Sequence, residues 1–141
     1  MPPPAARSRL RAADWLMLAE ALATLTIASL AIALLPFRTV AAAASVRGSV
    51  REQADRETIR RVRSAVQAWA RRVPWKAVCF QRGLAVHWML RRRGIDSVLL
   101  YGVARRDSDG LAAHVWVDVG AETVIGGQEA PDYTCLARFP P

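Results

Sequence analysis

The apolar and polar positions change period several times along this chain, and each change predicts an element. From Trp15 to Phe37 the residues are almost continuously apolar, with Glu20 as the single charge. Ala21 to Phe37 is a run of 17 uncharged residues, at the lower edge of a length that spans a bilayer. Thr24, Thr26 and Ser29 are interspersed. Two readings stay open: one or two very apolar helices packed on a domain or a partner, or a membrane helix over 15–37. A signal peptide, with "AAAAS" at 41–45 as its cleavage region, fits poorly with Glu20 and with so long an apolar run. Beyond an Ala-rich link, Ile59, Val62, Val66, Trp69 and Val73 recur at spacings of 3, 4, 3 and 4, one face of an amphipathic helix. Arginines at 56, 60, 61, 63, 71 and 72 mostly occupy the rest. Pro74 ends that helix, because proline disfavours helical backbone in the residue before it.

A second helix is predicted from Cys79 to Arg93, with Gly94 as its stop and Arg91, Arg92 and Arg93 at the negative end of its dipole. "DSVLLYGVA", 96–104, is apolar, aromatic and β-branched and reads as a strand. After the turn "RRDSDG", the stretch "AAHVWVDVG" alternates: Val115, Val117 and Val119 on one face, His114, Trp116 and Asp118 on the other. A tight turn at Gly120-Ala121 returns the chain as "ETVIGG". This register sets Val119 opposite Glu122, Trp116 opposite Ile125 and His114 opposite Gly127. A polar loop and a short final segment follow. The layout is α+β: an N-terminal apolar helical segment and linker over 1–50, then a core over 51–141 in which a Cys-bearing helix packs on an antiparallel sheet, one compact domain overall.

At 141 residues the chain can bury one core. Its net charge of +8 is almost all arginine, Lys76 being the sole lysine. Such a balance invites a nucleic-acid partner, but the arginines are scattered over several elements in no long tract, so solvated helix faces are expected and no nucleic acid. Two cysteines, Cys79 and Cys135, make no disulfide framework, and fit a reducing cytosol. There is no CxxC, and His87 and His114 lie far apart, so no metal site is expected.

The chemistry centres on Cys79. A cysteine at a helix start meets unpaired N–H groups and the positive end of the dipole, which favour the thiolate and can hold an oxyanion. Packing helix on sheet can bring His114 beside it, to take the thiol proton and return it to a leaving amine. Each residue alone also fits a packing role, the thiol in a core and the imidazole on a half-exposed strand. His87, two helical turns from Cys79 and about 12 Å away, is read as structural. Asp118 is about 13 Å along the strand from His114 and cannot orient its ring. Trp116 is expected to pack, or to form a wall of the thiol pocket. A third member would come from Gln128, Glu129 or Asp132, and only if the strand bends after the glycines.

"VPWKAVCFQRGLAVHWMLRRRGIDSVLLYGV", followed by "AAHVWVDVG" and "VIGG", resembles the transglutaminase-like core of lasso-peptide B proteins, and the apolar "LAEALATLTIASLAIALLPFRTV" is similar to the helical segment that precedes it in stand-alone versions. The resemblance implies a cysteine protease with a Cys–His–Asp triad that removes the leader from a ribosomally made precursor peptide. It implies no cofactor, with a small leader-recognition protein and an ATP-dependent macrolactam synthetase as partners. Residue by residue, Cys79 matches the nucleophile and His114 the base. The family's aspartate lies on the next strand, where this chain has Gly126 and Gly127. The third role therefore falls to Gln128 or Glu129, or to no side chain. The resemblance places the protein in the cytoplasm, with association to the inner face of the membrane through 15–37 as an option. The alternative is a membrane-anchored or nucleic-acid-associated protein without catalysis.

Overall fold

The computed structural model describes residues 10–48, 55–107 and 110–141. Four helices come first: α1 Ala12–Leu34, α2 Phe37–Ala44, α3 Arg56–Ala70 and α4 Cys79–Arg92. The strands follow: β1 Ser97–Arg106, β2 Gly110–Val119, β3 Glu122–Ile125 and, after a 3-10 turn at Ala130–Asp132, β4 Thr134–Phe139. The protein is α+β, with one antiparallel sheet in the order β3-β2-β1-β4.

The apolar N-terminal stretch is two helices, and α1 packs along α3 and α4. Its inner face, Ala21, Thr24, Leu25 and Ala28, is buried. Polar pins fix its placement. Glu20 pairs with Arg93 at 2.9 Å, Trp69 donates its indole N–H to the Leu18 carbonyl at 2.8 Å, and Trp75 donates to Ser29 Oγ at 3.0 Å. The hydroxyls of Thr26 and Ser29 each bond a carbonyl four residues back, at 2.8 Å, so they sit in an apolar helix at little cost. The outer face stays apolar and exposed, through Leu16, Ile27, Leu30 and Leu34. The core of α3 is Val62, Ala65, Val66 and Ala70. The helix starts on Asp55, which accepts from the Glu57 N–H at 3.1 Å.

The contact that places α4 is at Gly83. A Cβ there would come within 2.8 Å of Val115 Cγ1 and 3.4 Å of Leu99 Cδ1, so helix and sheet approach at closer than side-chain distance. The valine face of β2 lies under α4, as the alternation predicts. The opposite face is not half-exposed. His114 and Trp116 are buried as well, with the Trp116 ring covering Gly102 of β1.

The β2–β3 register differs from the simple hairpin. Val119 faces Glu122 and Asp118 faces Thr123, but Val117 faces Ile125. One extra residue, Val124, bulges from β3. Ile125 is thus opposite Val117 and not Trp116, and Gly127 lies beyond the paired strand, not opposite His114. A bulge bends its strand and strengthens its twist. Pairing ends at Ile125, and Gly126, with φ +80°, turns the chain away. The short final segment is an edge strand, β4, paired with β1.

His87 is fully buried between α2, α4 and β1. Its Nε2–H donates to the Ala44 carbonyl at 2.7 Å, and Nδ1 accepts from Ser97 Oγ at 2.9 Å. Burial is the main reason its pKa falls from 6.5 to about 4. Between those values the unfolded chain binds more protons than the folded one, so stability falls as pH drops through this window and is indifferent to the group above it. The full effect is roughly 3 kcal/mol at the acid end. Urea unfolding between pH 7 and pH 4.5 should show this loss in the wild-type chain and a flatter dependence in His87→Gln. Parallel curves for the two proteins would contradict it.

Candidate active site

The connector before α4 sets up the thiol. Arg82 donates Nε–H to the Ala77 carbonyl at 2.6 Å, folding the connector back on the first turn. Val78 is the N-cap, extended and with no side-chain cap. The first helical N–H groups, that of Cys79 included, therefore lack an intrahelical partner. Cys79 is half-buried and carries a free thiol. It opens on a cavity of about 600 Å³. The walls are Val78 before α4, Cys79 and Arg82 of α4, Arg63, Ser64 and Gln67 of α3, His114 and Val115 of β2, and the run from Thr123 to Glu129.

His114 is 3% exposed. Its Nε2 lies 2.8 Å from the Gly126 carbonyl, and its Nδ1 3.4 Å from Glu129 Oε2. Trp116 stacks on one side, with centroids 6.0 Å apart and planes at 20°, and Tyr133 packs at 5.0 Å. Arg106 in turn bonds the Tyr133 hydroxyl at 3.0 Å and lies over its ring, tying the 3-10 turn to β1.

The structure thus brings Cys79, His114, Gln128 and Glu129 to one cavity. Cys79 and His114 line the same cavity, and no hydrogen bond joins them among the described residues. Trp116 is not a wall of that cavity: its ring lies over Gly102 of β1 and packs against the imidazole. Asp132 lies in the 3-10 turn, outside the cavity lining. Asp118 accepts from Thr123 Oγ1 of the adjoining strand at 2.7 Å, and it does not line the cavity. His87 is closed on both nitrogens inside the core. Three features escaped the sequence reading: the Gly126 carbonyl on His114, Tyr133 against its ring, and the arginine walls from α3 and α4. Only the first had a signal, a glycine pair directly after a strand.

Chemically the arrangement offers a thiol, a set of backbone donors beside it suited to a developing oxyanion, and a sequestered imidazole. The family description that matches the chain is the transglutaminase-like superfamily, over residues 5–138. The chain therefore belongs to that superfamily, which includes cysteine peptidases and acyltransferases. No curated protein and no solved structure matches it.

The Glu129 side chain is 68% exposed and its contact with His114 is long. Such a pair contributes little to the fold. Glu129→Gln should shift unfolding stability by less than about 0.5 kcal/mol at pH 7. A larger loss in urea unfolding would show that the carboxylate is a structural anchor.

Proposed function

We propose that this member of the transglutaminase-like superfamily is a cysteine peptidase that removes the leader from a lasso-peptide precursor. The observation that carries the peptidase reading is the single cavity shared by Cys79, at an uncapped helix start, and the buried His114. The choice of substrate rests on the sequence resemblance around Cys79 and His114.

The chemistry runs in two halves. Cys79 Sγ attacks the carbonyl carbon at the leader–core junction, and its proton passes to His114. The oxyanion is held by the N–H groups at the start of α4. Collapse breaks the C–N bond, and His114 returns the proton to the leaving amine, which becomes the free N-terminus of the core peptide. The leader stays on Cys79 as a thioester. His114 then takes a proton from water, hydroxide adds to the thioester, and the leader leaves with a new carboxyl group as the thiol is restored. A freed core amine is what an ATP-dependent macrolactam synthetase needs to close a ring. A small leader-recognition protein would deliver the precursor.

The protein works in the cytoplasm, with α1 resting on the inner face of the membrane. A helix apolar all round is covered on every side in the working protein, and here only the inner face is covered within the chain. Arg11 and Arg38 flank the apolar length, where their charges can meet anionic headgroups. The pairing of Glu20 with Arg93 supports a helix held on the domain.

Cys79→Ala and His114→Ala should each lower leader removal by more than about 10³-fold with circular dichroism unchanged. The assay is mass spectrometry of the precursor incubated with enzyme and recognition protein. Cleavage surviving Cys79→Ala would end this mechanism. For the membrane, the wild-type chain should float with anionic vesicles, and Leu30→Glu with Leu34→Glu should stay at the bottom of the gradient. Equal flotation of the two would remove α1 as the contact.

A further inference from the structure

We infer that the group orienting the His114 imidazole is the backbone carbonyl of Gly126, so that main chain occupies the position where a carboxylate side chain was expected. The inference builds on the reading of His114 as the base, although its geometry stands without that reading.

A carbonyl oxygen only accepts. At 2.8 Å from the Gly126 oxygen, Nε2 must carry the hydrogen, and in the neutral ring the lone pair is then on Nδ1. That nitrogen lies on the side of Glu129, itself a wall of the cavity that holds Cys79. The hydrogen bond therefore selects the tautomer whose basic nitrogen is the one beside Glu129.

Two features bring the carbonyl there. The bulge at Val124 ends β3 early, and the positive φ of Gly126 turns its peptide toward β2. Nothing but glycine fits. A Cβ at 126 would come within 2.7 Å of the Val115 carbonyl oxygen and 3.0 Å of Trp116 Cβ, contacts against backbone and a strand-fixed side chain that cannot retreat. An aspartate at this place is sterically barred. Glu129 does not take the role, since it meets the other nitrogen with an exposed side chain, and Gln128 makes no hydrogen bond to His114 among the described contacts. With the ring clamped by Trp116 and Tyr133 and only 3% exposed, water does not compete for Nε2–H. The acceptor is neutral, so the imidazolium formed during proton transfer is stabilised by a dipole instead of a full charge. Neutral hydrogen bonds have about half the strength of charge-assisted ones. Gly126 is accordingly a positioning residue that acts through His114.

Histidine labelled with ¹⁵N in the full chain tests this directly. At a pH where His114 is neutral, long-range ¹H–¹⁵N correlation should show the Nε2–H tautomer alone, with a slowly exchanging proton. A Nδ1–H tautomer, or an even mixture, would overturn the assignment. Because Gly126→Ala risks misfolding, the second protein carries glycolic acid in place of Gly127. The 126–127 link is then an ester, a weaker acceptor with no added side chain. Exchange of the Nε2 proton should quicken about tenfold, the scale of one weakened hydrogen bond. In precursor cleavage kcat should fall with KM unchanged. Unaltered proton exchange in the ester protein would also refute the proposal. The two readings fail separately: cleavage by Cys79→Ala would defeat the peptidase and leave the tautomer fixed, whereas the wrong tautomer would defeat this assignment and leave Cys79 untouched.

Discussion

Val115 is held between two glycines, and the site depends on that arrangement. Its side chain lies beneath Gly83 of α4, and its carbonyl oxygen lies against Gly126 beyond β3. Neither approach leaves room for a Cβ. The first contact seats the helix on the sheet with Cys79 four residues, about one turn, toward the N-terminus. The second draws the end of β3 against β2 beside the next residue along, His114. One strand residue therefore registers the thiol and the imidazole acceptor at once. The cavity is the space left between a helix start and a strand end placed by the same valine.

The apolar helix α1 belongs to this construction from the outside. Small residues, Ala21, Thr24 and Ala28, let it lie close to α3 and α4. Its single charge, Glu20, is held by Arg93 and, at 3.5 Å, by Arg92 at the C-terminal end of α4. The Arg93 guanidinium beside Glu20 keeps that carboxyl below its ordinary range. The arginine run that reads in sequence as a dipole partner for α4 thus also serves as the dock for α1. That gives the acidic residue in an otherwise uncharged stretch a partner within the fold.

Much of this was legible in sequence, and the failures share a cause. The 3.6 and 2.0 periods locate α3 and β2, the glycine stop and arginine run locate α4, and the apolar β-branched run locates β1, because each is set by the chain's own side chains. Pro74 marks the end of α3 only loosely: the helix closes at Ala70, three residues before the last apolar position of its stripe. Helix ends yield to the direction the next segment must take. The bulge at Val124 was invisible, since one inserted residue leaves the pattern of a four-residue strand intact. The cover over His114 and Trp116 comes from Gly102 and Tyr133, distant in the chain, so alternation predicted a half-exposed face that the fold buries. The search for a third catalytic member looked among side chains. A main-chain acceptor carries no letter of its own, and Gly126 read only as a missing aspartate.

The two histidines show why burial alone does not identify a functional group. Both are buried, and both donate Nε2–H to a backbone carbonyl, of Ala44 in one case and Gly126 in the other. They differ at the second nitrogen. Nδ1 of His87 accepts from the buried Ser97 hydroxyl, so both ring nitrogens are satisfied inside the core, and burial opposes the charged ring. Nδ1 of His114 meets, among the described residues, a solvent-facing carboxylate at 3.4 Å. An exposed pair of that kind is weak and exchangeable. The same donor bond therefore makes one imidazole a strut between α2, α4 and β1, and leaves the other oriented and available.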